Sequence, residues 1–411
     1  MTVAEIRAAL ARLETAGKRL RERSAAERLV AVGRVLDAWS DPTSAVRCRL
    51  LEQHPAASGL SRPTVAAGLE LGLAGWDAAA LERLVARELG PPGIRDTLRL
   101  EGVSAVVHGG VIPMPSLVDA LAPLVLASPV LAKPALRDPV TPRLVAESLA
   151  ALAPELAGCL ELADVRRGDE AALAALLGTA RVLVTGSDEA VAAIRRRLAP
   201  GSRLLAHGHK LSVAVLGAEP GTDLAEAAER LAVDVALWDQ LGCLSPVACF
   251  VLGGRARTEA FASALAGALA GRERAWPRGE LAAAEAARVA SERAEAELRA
   301  AAGAGVALHA GPGLAFTVVA EPDAALRPAP LHRFVRVHPV PDPGALADAL
   351  APLAPHLAGV ALQAAGREAE TLRGLARRLG ATRIEPFGRL QAAPLDWARD
   401  GLGPLAALMD G

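Results

Sequence analysis

The stretch VSAVVHGGVIPMP, residues 103–115, decides how this sequence is to be read. Its apolar run from Val103 to Val107 suits a short strand buried on both faces. Gly109, Gly110 and Pro113 then close the strand in a tight turn. The same grammar recurs downstream. Apolar strands at Val130–Ala132, Val182–Val184 and Leu204–Ala206 alternate with amphipathic helices such as Pro142–Leu156 and Glu189–Leu198. Strand–helix alternation with short Gly/Pro turns predicts a parallel sheet covered on both faces. A second alternating block follows. It has a helix near Leu224–Trp238, apolar at 224, 228, 231, 235 and 238, with Asp223 and Glu226 at capping-box spacing. Strands are expected at Ala248–Leu252, Phe316–Ala320, Phe334–Val337 and Val360–Gln363, with a solvated helix over Gly279–Ala302.

Upstream, the first ~95 residues read as helices. Ile6, Leu10, Leu13 and Leu20 recur at helical spacing, and Ser24 to Glu27 forms a capping box. The expected organisation is a helical segment over 1–95, a cofactor-binding α/β domain over 96–215, a catalytic α/β domain over 216–385 and a return segment over 386–411.

Composition narrows the function classes. The chain has 411 residues and a net charge of -1, from 45 basic and 46 acidic residues. Such a balance gives no electrostatic reason to expect nucleic acid or an anionic membrane as partner. The longest uncharged apolar stretch, near Ala120 to Ala132, is interrupted by prolines and is too short to span a bilayer. The charged N-terminus lacks an apolar signal-peptide core, so the cytoplasm is the expected location. Four cysteines, Cys48, Cys159, Cys243 and Cys249, are too scattered for a disulfide framework, and no His/Cys/Asp/Glu cluster has metal-ligand spacing. Arg has displaced Lys almost everywhere, leaving Lys18, Lys133 and Lys210. Lys133 and Lys210 fall at strand ends beside Pro or Gly, where a compact ammonium is not exchangeable for a planar fork.

One cysteine stands in a reactive setting. In WDQLGCLSP, residues 238–246, Cys243 follows a helix end and precedes a buried strand. Helix termini and turn amides can lower a thiol's pKa, and turn N–H groups can support an oxyanion on an attacked carbonyl. Cys48 and Cys159 lie in helical contexts and Cys249 in an apolar strand, the usual settings of inert cysteines.

A series of short motifs falls in a telling order. HGGVIP at 108–113, VLAKP at 130–134, VTGSDE at 184–189, GHKLS at 208–212 and DQLGCLSP at 239–246 are followed by Arg383 to Gly388 and by WARDG at 397–401. Over about residues 95–411 the chain resembles the fatty acyl-CoA reductase component of bacterial luminescence systems, the LuxC family, a branch of the aldehyde dehydrogenase superfamily. The resemblance implies an aldehyde-dehydrogenase-like α/β fold. It also implies a nucleophilic Cys243 and a nicotinamide cofactor held by Lys133, Gly186, Ser187 and Gly208. Because Ala135, Leu136 and Arg137 follow the Lys-Pro pair where relatives carry an acidic residue, NADPH is expected, with Arg137 near its 2'-phosphate.

Two departures refine the expectation. Superfamily members that hydrolyse an acyl-enzyme carry a Glu where this chain has Ala206, before His207, Gly208 and His209. Without that base an acyl-Cys escapes water, which points to reduction of an acyl-CoA or carrier-bound thioester to an aldehyde. His207 and His209 are acid/base candidates on opposite faces of the strand end. Gly110 replaces an Asn that the family uses as an oxyanion donor. The alternatives are a CoA-acylating aldehyde dehydrogenase and an inactive homologue acting as a complex subunit. The superfamily usually assembles as homo-oligomers, so a dimer or tetramer is implied.

Overall fold

The structure is a computed structural model that describes residues 1–95, 97–219 and 221–409. The chain groups into two compact units, one of Met1–Ser58, Gly72–His209 and Pro394–Gly411, the other of Gly59–Leu71 and Lys210–Ala393.

The first unit is built on a parallel sheet. Its strands are β1 (Ser104–Val107), β2 (Val130–Lys133), β3 (Leu160–Leu162), β4 (Arg181–Thr185) and β5 (Arg203–His207), in the order β3-β2-β1-β4-β5. Strand β3 is not legible in the sequence, because Leu160-Glu-Leu162 carries a charge in place of an apolar run. Ala105, Val107, Leu131, Val182 and Val184 of the sheet share a core with Ile6 and Leu13 of the helix Val3–Glu22. Burying each such side chain contributes roughly 1.5–3 kcal/mol. The N-terminal helix therefore belongs to this sheet and is not a body of its own. Reciprocal Thr2–Glu5 and Ser24–Glu27 bonds start the first two helices, the second as expected from the sequence.

The second unit carries β6 (Leu211–Leu216), β7 (Pro246–Leu252), β8 (Ala307–Ala310), β9 (Thr317–Ala320), β10 (Phe334–Val340), β11 (Leu357–Gln363) and β12 (Arg383–Glu385). Their order is β12-β11-β6-β7-β10-β9-β8, parallel throughout except where β8 meets β9. The helix Leu224–Ala236 stops short of the expected Trp238. Trp238, Asp239 and Gln240 instead take φ of 56°, 51° and 67°, a left-handed conformation that no helix continues. Gly68 explains part of this. A Cβ on Gly68 would lie 2.3 Å from the Trp238 indole, so only a residue without a side chain lets the ring in. Residues 59–71 thus lie in this second unit, although the sequence places them within the helical segment of 1–95.

Candidate active site

In the first unit, β1 and β4 are neighbours, while the chain runs from β1 outward to β2 and β3 on one side and from β4 to β5 on the other. Ligands of open parallel sheets bind beyond the carboxyl ends of the strands at such a switch point. The register places Val107 beside Lys133 and Val184, and Thr185 beside His207, so the predicted cofactor residues emerge along one edge. Gly109 keeps the exits of β1 and β4 close, since a Cβ there would stand 2.2 Å from the Thr185 carbonyl oxygen. Gly186 follows β4, and Ser187 caps the helix Asp188–Arg195 by accepting a bond from the Ala190 N–H. Gly208 has a steric reason of its own, because a Cβ would meet the Asp188 carboxylate at 2.4 Å. That carboxylate accepts the His209 N–H at 2.8 Å. Gly110 takes φ of +84° with open space around it, a turn geometry that glycine supplies without strain.

Several polar groups at this edge have no protein partner. Among the described residues the Lys133 ammonium makes neither a hydrogen bond nor an ion pair. His108 is 4% exposed, yet neither ring nitrogen is hydrogen-bonded. Burial pushes its pKa down, opposed by the nearby Asp119 and Asp138 carboxylates. Buried polar atoms left without a partner mark places where water or a ligand completes the bonding. These groups fit a dinucleotide: a free ammonium, an unfilled buried donor/acceptor and a helix N-terminus behind a glycine.

Arg137 behaves differently from the expectation. Its Nε and Nη2 donate to the Ser58 carbonyl at 2.9 and 2.6 Å, which ties it to the helix Ala45–Ser58. The adjacent Asp138 carries no signal in the sequence that singles it out. It is 1% exposed, accepts the Thr141 N–H, and lies 3.4 Å from His54, so no carboxylate of this turn faces outward. The two histidines separate as alternation requires: His207 is buried and His209 exposed. His207 Nδ1 stands 2.8 Å from an Asp400 carboxylate oxygen, brought there by the C-terminal segment.

In the second unit, Cys243 sits in the turn between Gln240 and β7 and is partly exposed. Its carbonyl accepts from the Ser212 hydroxyl at 2.7 Å. The preceding left-handed turn is pinned side chain by side chain. Gln240 accepts the Phe334 N–H at 2.9 Å and donates to the Pro246 carbonyl at 2.7 Å. Asp239 receives Arg333 through Nε and Nη2 at 3.0 and 2.7 Å, and the Gly279 N–H at 2.8 Å. Arg333, fully buried, comes from a second left-handed run, with φ of 67°, 59° and 64° at Leu331, His332 and Arg333. Behind the loop, Gln391 donates to the Ser245 hydroxyl at 3.0 Å and to the Asp234 carbonyl at 2.5 Å. No local signal marks Arg333 or Gln391, since both come from distant segments.

The other thiols are less suited to attack. Cys249 lies fully buried on β7 and burial pushes its pKa up; Cys159, also buried, is raised to about 11. Lys210 donates to the Pro355 carbonyl at 3.0 Å, a structural bond. Among the described residues no group of three or more potential metal ligands occurs, and no helix is long and apolar enough to cross a membrane.

Known structures share this architecture. A putative methylmalonate-semialdehyde dehydrogenase from Sinorhizobium meliloti, complexed with NAD, matches with a TM-score of 0.74 at 15% identity, over 99% of this chain and 88% of that one. A point mutant of aldehyde dehydrogenase C from Pseudomonas syringae, complexed with NAD+ and octanal, matches with a TM-score of 0.68 at 19% identity, over 94% and 81%. The fold is that of the aldehyde dehydrogenases. The profile of the acyl-CoA reductase (LuxC) family matches residues 22–410, and the chain belongs to that family. Comparison with curated proteins gave no match.

Proposed function

We propose that this protein reduces an acyl thioester, acyl-CoA or carrier-bound, to an aldehyde, with Cys243 as nucleophile and NADPH as reductant. Membership of the acyl-CoA reductase family supports the substrate class. The observation that carries the chemistry is Ala206 at the end of β5, where the superfamily places its water-activating Glu. The Cys243 sulfur attacks the thioester carbonyl, and the substrate's thiol leaves. A methyl group at Ala206 cannot activate water, so the acyl-Cys is kept from hydrolysis. The pinned turn presents the nucleophile in one geometry, and its backbone N–H groups are the candidates to receive the oxyanion in place of an Asn at Gly110. A bound nicotinamide supplies the two electrons as hydride. Lys133 holds the cofactor's ribose or phosphate, and Gly186, Ser187 and Gly208 leave room for it. NADPH is favoured over NADH because Asp138 is turned inward and no exposed carboxylate follows Lys133 to repel a 2'-phosphate.

The test is incubation with radiolabelled acyl-CoA, with and without NADPH or NADH, beside Cys243→Ala. The expected result is a Cys243-dependent acyl adduct that persists without reductant and yields aldehyde with NADPH. Absence of both products from the wild type supports an inactive subunit instead. Release of free acid from the adduct removes the argument from Ala206.

A further inference from the structure

We infer that His207 is the proton-transfer group of this reaction and that Asp400 is its positioning residue, an assignment that rests on the acyl-thioester reading above. His207 ends β5, and its Nδ1 lies 2.8 Å from Asp400 Oδ2, with each side chain 8% exposed. A carboxylate at that distance holds the Nδ1–H tautomer, leaves Nε2 to exchange a proton, and stabilises the imidazolium when it forms. Among the described residues Nε2 has no partner.

The C-terminal segment is arranged around this contact. Asp400 has φ of 56°, a left-handed conformation that costs a non-glycine residue of order 1 kcal/mol and persists only where its surroundings impose it. The turn is closed by bonds from Gly401 N–H to the Ala398 carbonyl and from Leu402 N–H to the Arg399 carbonyl. The neighbouring Arg399 donates to the Thr185 hydroxyl at 3.2 Å, and Thr185 is the register partner of His207 across β4 and β5. One dipeptide thus grips two adjacent strand ends, and the carboxylate falls on the imidazole. A turn that served only to close the chain would need no such carboxylate.

The reaction consumes one proton. When Cys243 thiolate attacks, the new C–S bond forms and the bond to the substrate's sulfur breaks, so that sulfur departs as a thiolate needing a proton. Hydride later adds to the acyl carbon, the carbonyl re-forms, and Cys243 leaves as the thiolate it began as. The balance is thioester, hydride and one proton giving aldehyde and free thiol. His207 supplies that proton from Nε2 and is reprotonated by solvent. Ala206 cannot substitute for it.

The leaving group provides the test. Thiol release in a single turnover, which needs no nicotinamide, is measured for a CoA thioester and for the thiophenyl ester of the same acyl group, whose thiolate departs unprotonated. With the CoA thioester, Asp400→Asn and His207→Gln are expected to slow release by about 100-fold at unchanged substrate affinity. On the thiophenyl ester both are expected within about threefold of wild type, because no proton is then required. Histidine-selective 15N NMR should show His207 losing its Nδ1–H preference in Asp400→Asn. Equal losses on both esters, or no loss on either, overturns the assignment. Failure of the wild type to form a Cys243 adduct with either ester overturns the thioester reading itself.

Discussion

The turn that carries Cys243 and the strand edge that carries Lys133 are both polar, but their hydrogen bonding is opposite. Around Cys243 the side chains of Asp239, Gln240, Ser212 and Gln391 all have partners, several of them buried. At the other edge, Lys133 has no partner among the described residues, and His108 is buried with both nitrogens unpaired. A nucleophile works from a fixed geometry, so its supporting shell is completed by the protein itself. A surface that receives a ligand leaves its polar groups for the ligand to complete. The comparison teaches where substitutions should cost stability and where they should cost affinity.

The largest effect is expected at Arg333, which is fully buried between Asp239 and Glu273. Arg333→Leu strands the Asp239 carboxylate, and removing one partner of a buried pair typically costs about 3–5 kcal/mol. Urea denaturation should show that loss, together with slower acylation of Cys243. A variant as stable as wild type would mean that the left-handed turn holds itself.

Asp234, beneath the same loop, gives a pH test. Burial raises its carboxyl to about 7, although the Gly388 and Leu390 N–H groups and the Gln391 backbone oppose the shift. The folded protein then binds this proton more tightly than the unfolded chain does, where Asp titrates near 3.8. The stability it contributes is fully present below about pH 4 and is lost as pH rises through about 7. Asp234→Asn should flatten the pH dependence of the denaturation midpoint over that window. An unchanged slope would show that another group sets it.

A smaller loss is expected at Gly68, where Ala would drive a methyl toward the Trp238 ring, 2.3 Å from where its Cβ must lie. Overpacking of this kind costs about 1–3 kcal/mol. If Gly68→Ala melts like wild type, Trp238 can move, and the turn is less constrained than its bonds suggest.

These sites also show what the sequence could and could not reveal. Strands β1, β2, β4 and β5 are legible because apolar runs broken by Gly and Pro are a local signal. Lys133 and Cys243 are legible through their turns. Arg333 is not, because it is 94 residues from Asp239 and nothing local marks a buried arginine. Asp400 reads as the start of a turn, which it is, and only the fold discloses that its carboxylate meets His207. Arg137 misleads for the same reason. Its charge is visible, but its carbonyl partner lies 79 residues upstream.

The smallest expected effect falls at Lys133, and it should appear in binding alone. With no protein partner to lose, Lys133→Ala should melt within about half a degree of wild type, as surface-like changes do. A charged hydrogen bond to a phosphate or ribose contributes about 1.5–3 kcal/mol, so the dinucleotide Kd should rise by at least about tenfold. Lys133→Arg should not restore it, because a planar fork replaces a compact ammonium at the end of a buried strand. Titration calorimetry with NADPH and NADH reads both outcomes. Restored affinity in the Arg variant would show that only charge matters at this edge. Unchanged affinity in the Ala variant would place the dinucleotide elsewhere, and the contrast between a completed turn and a receptive edge would fail at its receptive end.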